Sequence, residues 1–103
     1  MIDLKDIIMK YPRCLATRSQ LASFLRDLYP EQKREINIAL VVYDSGIPNR
    51  MARLNKIDAL QYHFFLKKLV DNFGLQERFA AIGIEIWAKA FELIIETNSS
   101  SKD

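Results

Sequence analysis

Catalysis and metal binding need particular side chains at particular spacings, and this chain offers few of them. His63 is the only histidine and Cys14 the only cysteine among 103 residues. They lie far apart in sequence, whereas zinc takes three or four nitrogen or sulfur ligands at short, recognisable spacings. Cys14 follows Pro12-Arg13, and one basic neighbour does not make an activated thiolate. Glu31 with Glu35, and Glu92 with Glu96, are carboxylate pairs four residues apart that could share a cation. Without histidines or further acids nearby they read as solvated or ion-paired surface. Glu85 precedes Lys89 by four residues, the favourable orientation of a helix-stabilising pair. No G-x-S-x-G elbow and no glycine-rich phosphate loop is present. The residues therefore predict no catalytic site, no metal, no cofactor and no small-molecule substrate.

A second constellation has donors rather than nucleophiles. Asn49, Arg50, Arg53, Asn55 and Lys56 follow the turn Ser45-Gly46-Ile47 in the outline of a helix-turn-helix, with side chains suited to phosphates or base edges. Gly-Ile-Pro is also an ordinary link between two packed helices. The net charge of +2 supplies little of the electrostatic affinity on which DNA binding depends. Nucleic-acid binding through Asn49, Arg50, Arg53 and Lys56 is carried as the alternative reading.

The elements that must position these groups are helical. Apolar residues recur at helical spacing nearly throughout, and no run of alternating positions reads as an independent strand. The expectation is an all-α, orthogonal or irregular bundle of five to six helices spanning residues 1–96, with 97–103 as a polar tail or the start of a linker. Asp3 caps a first helix that Pro12 ends. Thr17 to Gln20 is a capping box for a second, with Leu21, Phe24, Leu25 and Leu28 on one stripe. A third is expected to start at Pro30 and stop at Ser45, where Gly46 supplies the left-handed residue. A short fourth is expected from Pro48 to about Asn55. The fifth is capped by Asp58 and ended by Gly74, and the sixth is expected from about Gln76 to Glu96.

Helices three and six are apolar over an unusually wide arc, which marks them as central. An arc that wide must be wedged among several neighbours or lend a flank to a partner. Gly83 lies at the centre of the arc on helix six, beside Trp87, and predicts a close backbone approach by another helix. Glu35 falls inside the arc of helix three, where a carboxylate needs a mate; Arg26 is the candidate, in a structural pair.

Helix five carries an anomaly. Tyr62, Phe65, Leu66, Leu69, Val70 and Phe73 form its buried face and His63 lies on the edge, but Leu60 and Phe64 project among Lys67, Lys68 and Asp71. Either residues 47–57 cover Phe64, or it is the aromatic centre of a binding patch with a basic rim. The protein-binding surface expected on the second reading comprises Leu60, Phe64, Lys67 and Lys68, together with a flank of helix six bearing Ile84, Phe91 and Ile95.

Composition narrows the setting. Half the residues are apolar, enough for one core, since a chain of this size buries roughly two-thirds of its surface on folding. Three glycines and three prolines are too few for a turn-rich sandwich or barrel. A lone cysteine points to a reducing compartment. The apolar stretches fall short of the roughly 20 residues of a membrane span, and the opening MIDLKD has acids where a signal peptide has lysines. A cytoplasmic protein without membrane attachment is expected. Residues 1–57 hold ten basic and six acidic side chains, net +4, and residues 58–103 five and seven, net −2. That asymmetry can steer a partner.

Leu25-Arg26-Asp27-Leu28-Tyr29-Pro30, then Arg34-Glu35-Ile36-Asn37, Gly46-Ile47-Pro48, Phe73-Gly74-Leu75 and Ile86-Trp87-Ala88 occur in an order covering most of the chain. This pattern resembles a small helical accessory module of bacterial multidomain proteins, similar in use to effector-associated adaptor domains. The resemblance implies a non-catalytic role in protein binding or self-association, with a protein partner or a homo-oligomer as the outcome. Arg26, Asp27, Arg34, Glu35 and Asn37 would then form a polar joint between helices two and three. The basic Arg50/Arg53/Lys56 stretch departs from the module, which is usually acidic there, and keeps the nucleic-acid alternative open.

Overall fold

The computed structural model describes residues 2–96 and is an all-α bundle, 42 × 28 × 22 Å. In chain order it comprises α1 (Leu4–Lys10), a 3-10 turn (Pro12–Leu15), α2 (Arg18–Leu28), α3 (Lys33–Ser45) and α4 (Ile47–Met51). Strand β1 (Lys56–Asp58), α5 (Ala59–Phe73), α6 (Glu77–Ala90) and strand β2 (Ile94–Glu96) follow. The expected tail, 97–103, lies outside the described residues.

Local chemistry sets most boundaries. The side chains of Asp3, Thr17 and Asp58 accept from the backbone N–H three residues on, at 3.2, 3.1 and 2.8 Å, each satisfying a donor that the first helical turn leaves unpaired. Gly46 and Gly74 end α3 and α5 with φ of +82° and +70°, a region that only glycine enters without steric cost. The Ser45 hydroxyl donates to the Val42 carbonyl (2.6 Å) and accepts from Ile47 N–H (3.2 Å), fixing the corner between α3 and α4.

Three boundaries differ from the expected ones. Helix α3 opens at Lys33, because Pro30 serves a different turn: Gln32 N–H donates to Tyr29 O at 3.0 Å, putting the proline at the second position of a tight turn, where its fixed φ is equally at home. Helix α4 stops at Met51, where Arg53 and Leu54 N–H reach back only three residues, to Arg50 and Met51, and the chain unwinds into β1. Helix α6 stops at Ala90. Glu92 adopts φ +58°, Glu92 N–H donates to Lys89 O (3.1 Å) and Leu93 N–H to Ala88 O (2.8 Å). These are the two crossed bonds of a Schellman cap. The segment beyond is extended and pairs in parallel with β1, Lys56 opposite Ile94, Ile57 opposite Ile95 and Asp58 opposite Glu96. No strand was expected. A three-residue strand is too short to show alternation, and the Ile94-Ile95 pair suits a pleated ribbon as well as a helix face.

Helices α3 and α6 form the centre. Trp87 is fully buried and its Nε1 donates to Ala39 O at 3.1 Å. A Cβ placed on Gly83 would lie 2.6 Å from Val42 Cγ2 and 2.9 Å from Ile38 Cγ2, so the glycine is where α3 rides directly on the α6 backbone. Helix α6 also touches α1, α4 and α5, which covers most of its wide apolar arc within the subunit, leaving Phe79 and Ile82 half-buried. Fully burying each of the large side chains Trp87, Phe65, Leu69, Ile57 and Met51 contributes about 1.5–3 kcal/mol. The expected Glu35–Arg26 pair is not formed: Glu35 is half-buried at the edge of α3, Arg26 faces solvent, and neither forms an ion pair among the described residues. Partial exposure leaves the carboxylate hydrated, so no mate is required.

Candidate protein-binding face

Helix α5 is built into the molecule by Phe65 and Leu69, both fully buried. Its opposite side carries Leu60 and Phe64, one turn apart, with 79% and 49% of their surfaces exposed. Residues four apart on a helix are neighbours, so the two form one apolar spot. A shallow groove of about 380 Å³ runs along this side, lined by Leu60, His63, Phe64, Lys67 and Lys68, with Asp71 and Asn72 one to two turns further on.

The segment expected to cover Phe64 does so only in part. Helix α4 buries Ile47, Pro48 and Met51 in the core and leaves Asn49 and Arg50 in solvent. From there the Arg50 guanidinium carbon reaches 5.6 Å from the centre of the Phe64 ring, within the range of a cation–π contact. One face of the ring is thus dressed by a cation, and Phe64 still projects. Phe65 lies tilted at 57° to it, centroids 6.2 Å apart, tying the exposed ring to the core. The protein-binding and nucleic-acid-binding sets sorted by sequence therefore meet at one contact, Arg50 on Phe64.

Electrostatically this surface is positive. Lys5, Lys10, Arg18, Lys56 and Lys89 form ion pairs with carboxylates at 2.8 to 3.3 Å. Arg50, Arg53, Lys67 and Lys68 form none among the described residues. Lys56 is held by Glu96 across the β1–β2 ribbon at 3.2 Å, which withdraws it from any set of free cations. On the inner edge of α5, burial foremost and then the charges of Glu85 and Glu77 push the Tyr62 hydroxyl pKa up, so it remains a neutral phenol.

The helix-six flank is not part of this face. Ile84 is fully buried, because the arc that would have presented it is filled by neighbouring helices. Phe91 is half-buried beside Trp87, ring centroids 6.2 Å apart. It borders a separate crevice of about 300 Å³ with Leu15, Tyr43, Pro48 and Asn49. The polar atoms of the two larger aromatics are already engaged there, Tyr43 Oη donating to Leu15 O at 2.7 Å and Trp87 Nε1 to Ala39 O. Ile95 is half-buried in β2, and its neighbour Ile94 is 69% exposed.

Every buried side-chain nitrogen or oxygen among the described residues has a hydrogen-bond partner, and no three His, Cys, Asp or Glu side chains come together among them. Cys14 is buried in the 3-10 turn, and burial pushes its thiol pKa up, away from the reactive thiolate. No described helix is long and apolar enough to cross a membrane. Two residues lining the groove, His63 and Asp71, and Arg50, which stacks on Phe64, were not grouped with Leu60 and Phe64 as binding residues from sequence. His63 and Asp71 could have been, from their helical phase, whereas the Arg50 contact depends on how α4 docks. No family model matches the chain, and no curated protein or solved structure matches it.

Proposed function

We propose that this chain is a non-catalytic interaction module of a cytoplasmic bacterial protein, which engages a protein partner or another copy of itself through the outer face of α5. The observation that carries the reading is the exposed Leu60–Phe64 pair on a helix whose other side is anchored in the core. A large aromatic beside a leucine, ringed by charged groups, has the make-up of an interface centre with a polar rim. The resemblance to bacterial accessory modules points the same way.

The test is a Leu60→Ser/Phe64→Ser double variant that keeps the wild-type circular dichroism spectrum. Light scattering and proximity labelling in the source cells would compare it with wild type. Loss of self-association, or of a defined neighbour, is the expected result; an unchanged mass and an unchanged neighbour set remove the face from consideration.

The nucleic-acid alternative has one observation in its favour, the exposure of Asn49, Arg50 and Arg53, with Arg50 reaching the same face. Against it, α4 has five residues, of which Ile47, Pro48 and Met51 are buried, leaving little that can lie in a major groove. Titration with duplex DNA at several salt concentrations separates the two readings. Binding that falls steeply with salt and weakens in Arg50→Ala/Arg53→Ala would favour DNA.

A further inference from the structure

The α5 groove has a sign as well as a shape, and together they narrow its occupant. We infer that the groove receives an acidic amphipathic peptide segment of a different protein, which sets an apolar side chain against Leu60 and Phe64 and its carboxylates against Arg50, Lys67 and Lys68. This rests on the reading of α5 as a protein-binding face and adds the chemistry of the partner.

Four observations lead there. First, Arg50, Lys67 and Lys68 have no carboxylate partner among the described residues, as is also true of Arg13, Arg26, Lys33, Arg34 and Arg78, but these three stand beside the exposed Leu60 and Phe64. Complementary charge is what this part of the surface lacks. Second, the apolar spot is small, Leu60 and Phe64 on one open face of α5 whose own side chains border a shallow space of about 380 Å³, which suits one or two apposed side chains. Two exposed apolar side chains offer a bilayer little area to bury, since interfacial binding scales with that area. Third, Asp71 lies further along the same groove. A phosphate backbone tracking the groove would meet that carboxylate, whereas a peptide can offer it an amide or a lysine. Fourth, a two-fold dimer through this face would bring together two patches of the same net positive sign, three cations against the single carboxylate of Asp71 in each, since such an interface uses the same patch twice. The occupant is therefore another protein. From Leu60 to Asn72 the helix offers about 18 Å, enough for three turns of a docked helix, with its anchors one turn apart.

The experiment uses the whole chain and three fluorescently labelled peptides of equal length in polarisation titrations, with anionic vesicles and duplex DNA titrated in parallel. One is amphipathic with leucine and phenylalanine on one face and glutamates on the other. The second has the same composition in a scrambled order, and the third has lysine in place of each glutamate. The expected result is saturable binding of the first, weakening as salt rises, with the scrambled peptide at least about tenfold weaker and the lysine peptide not bound. Phe64→Ser should weaken the first peptide about tenfold. Lys67→Glu/Lys68→Glu should abolish its binding and admit the lysine peptide, a gain that misfolding cannot produce. Equal affinity for the amphipathic and scrambled peptides, binding to anionic vesicles or duplex DNA alone, or no binding to the first peptide overturns the inference. If the double serine variant still loses its neighbour in cells while the charge order fails, the face stands and the acidic partner falls; if both fail, the face falls with it.

Discussion

A methyl group on Gly83 would sit 2.6 Å from Cγ2 of Val42, closer than two carbon atoms can come. The contact sets how near α6 and α3 lie, and through Trp87 it places the rest of the core.

Gly83→Ala is therefore expected to destabilise the protein although alanine is the better helix former. Overpacking costs about 1–3 kcal/mol, and the propensity gain returns about 1 kcal/mol; with two contacts below 3.0 Å to absorb the cost lies toward the upper end, a net loss of up to about 2 kcal/mol. Val42 is β-branched and stiff at χ1, so it cannot simply swing away. The midpoint of urea unfolding, at constant slope, checks this; a variant as stable as wild type would show that the two helices can move apart freely.

Neighbouring phenylalanines on α5 should behave differently. Phe65 is fully buried, and Phe65→Ala is expected to cost about 3–5 kcal/mol. Phe64 is half-exposed; its buried half is worth about 1 kcal/mol and its cation–π contact with Arg50 about 0.5–1 kcal/mol, so Phe64→Ala should cost no more than about 2 kcal/mol. The same unfolding measurement decides it, and comparable losses would mean that Phe64 is sealed in solution.

Lys5 and Glu92 make the shortest ion pair among the described residues, 2.8 Å, and join α1 to the cap of α6. The hydrogen bond from Lys5, then its charge, holds the Glu92 carboxyl below its usual range; the same bond and charge hold the Lys5 ammonium above its own. A depressed carboxylate contributes stability above its unfolded pKa, about 4.3, and loses it as pH falls through the folded value. A raised ammonium contributes below about 10.4 and loses it as pH rises through the folded value. The stability gap between wild type and Lys5→Gln should thus be flat from about pH 5 to 9 and close at both ends. Both groups are exposed, so the gap is small. Thermal melts across the pH series measure it, and a gap that widens in acid would contradict the pairing.

Cys14 should resist thiol reagents while the protein is folded. Its side chain is buried and its pKa is pushed up by burial, which suppresses the attacking thiolate. A disulfide reagent such as DTNB at neutral pH is expected to react slowly with the native protein and at once in denaturant. Fast reaction of the native protein would place the thiol on the surface.

How much of this was legible in the residues depended on range. The caps at Asp3, Thr17 and Asp58, the glycine stops at Gly46 and Gly74, and the crossing at Gly83 follow from local patterns whose physical cause lies within a few positions. Pro30 was placed one element too late, because the same fixed φ serves a helix start and a tight turn. The end of α6 was missed because Glu92 occupies a left-handed position that usually needs glycine, held there by crossed backbone bonds and by Lys5 from the far end of the chain. Ile84 illustrates the remaining gap: a wide apolar arc tells that a helix has many neighbours but not whether they belong to the same chain. The exposed pair on α5 was visible because it broke phase. Its contact with Arg50 was not, since that depends on two elements meeting in space.

The β1–β2 ribbon has a consequence for the order in which the molecule assembles and comes apart. Its strands are three residues each and parallel, with all of α5 and α6 between them, so pairing must await the docking of that helical hairpin and carries the entropy of closing so long a loop. Ribbons this short gain little of their own. Hydrogen-exchange labelling should therefore find the amides of 56–58 and 94–96 trading protons well before those where α3 crosses α6, as a latch that lifts while the frame behind it stays shut.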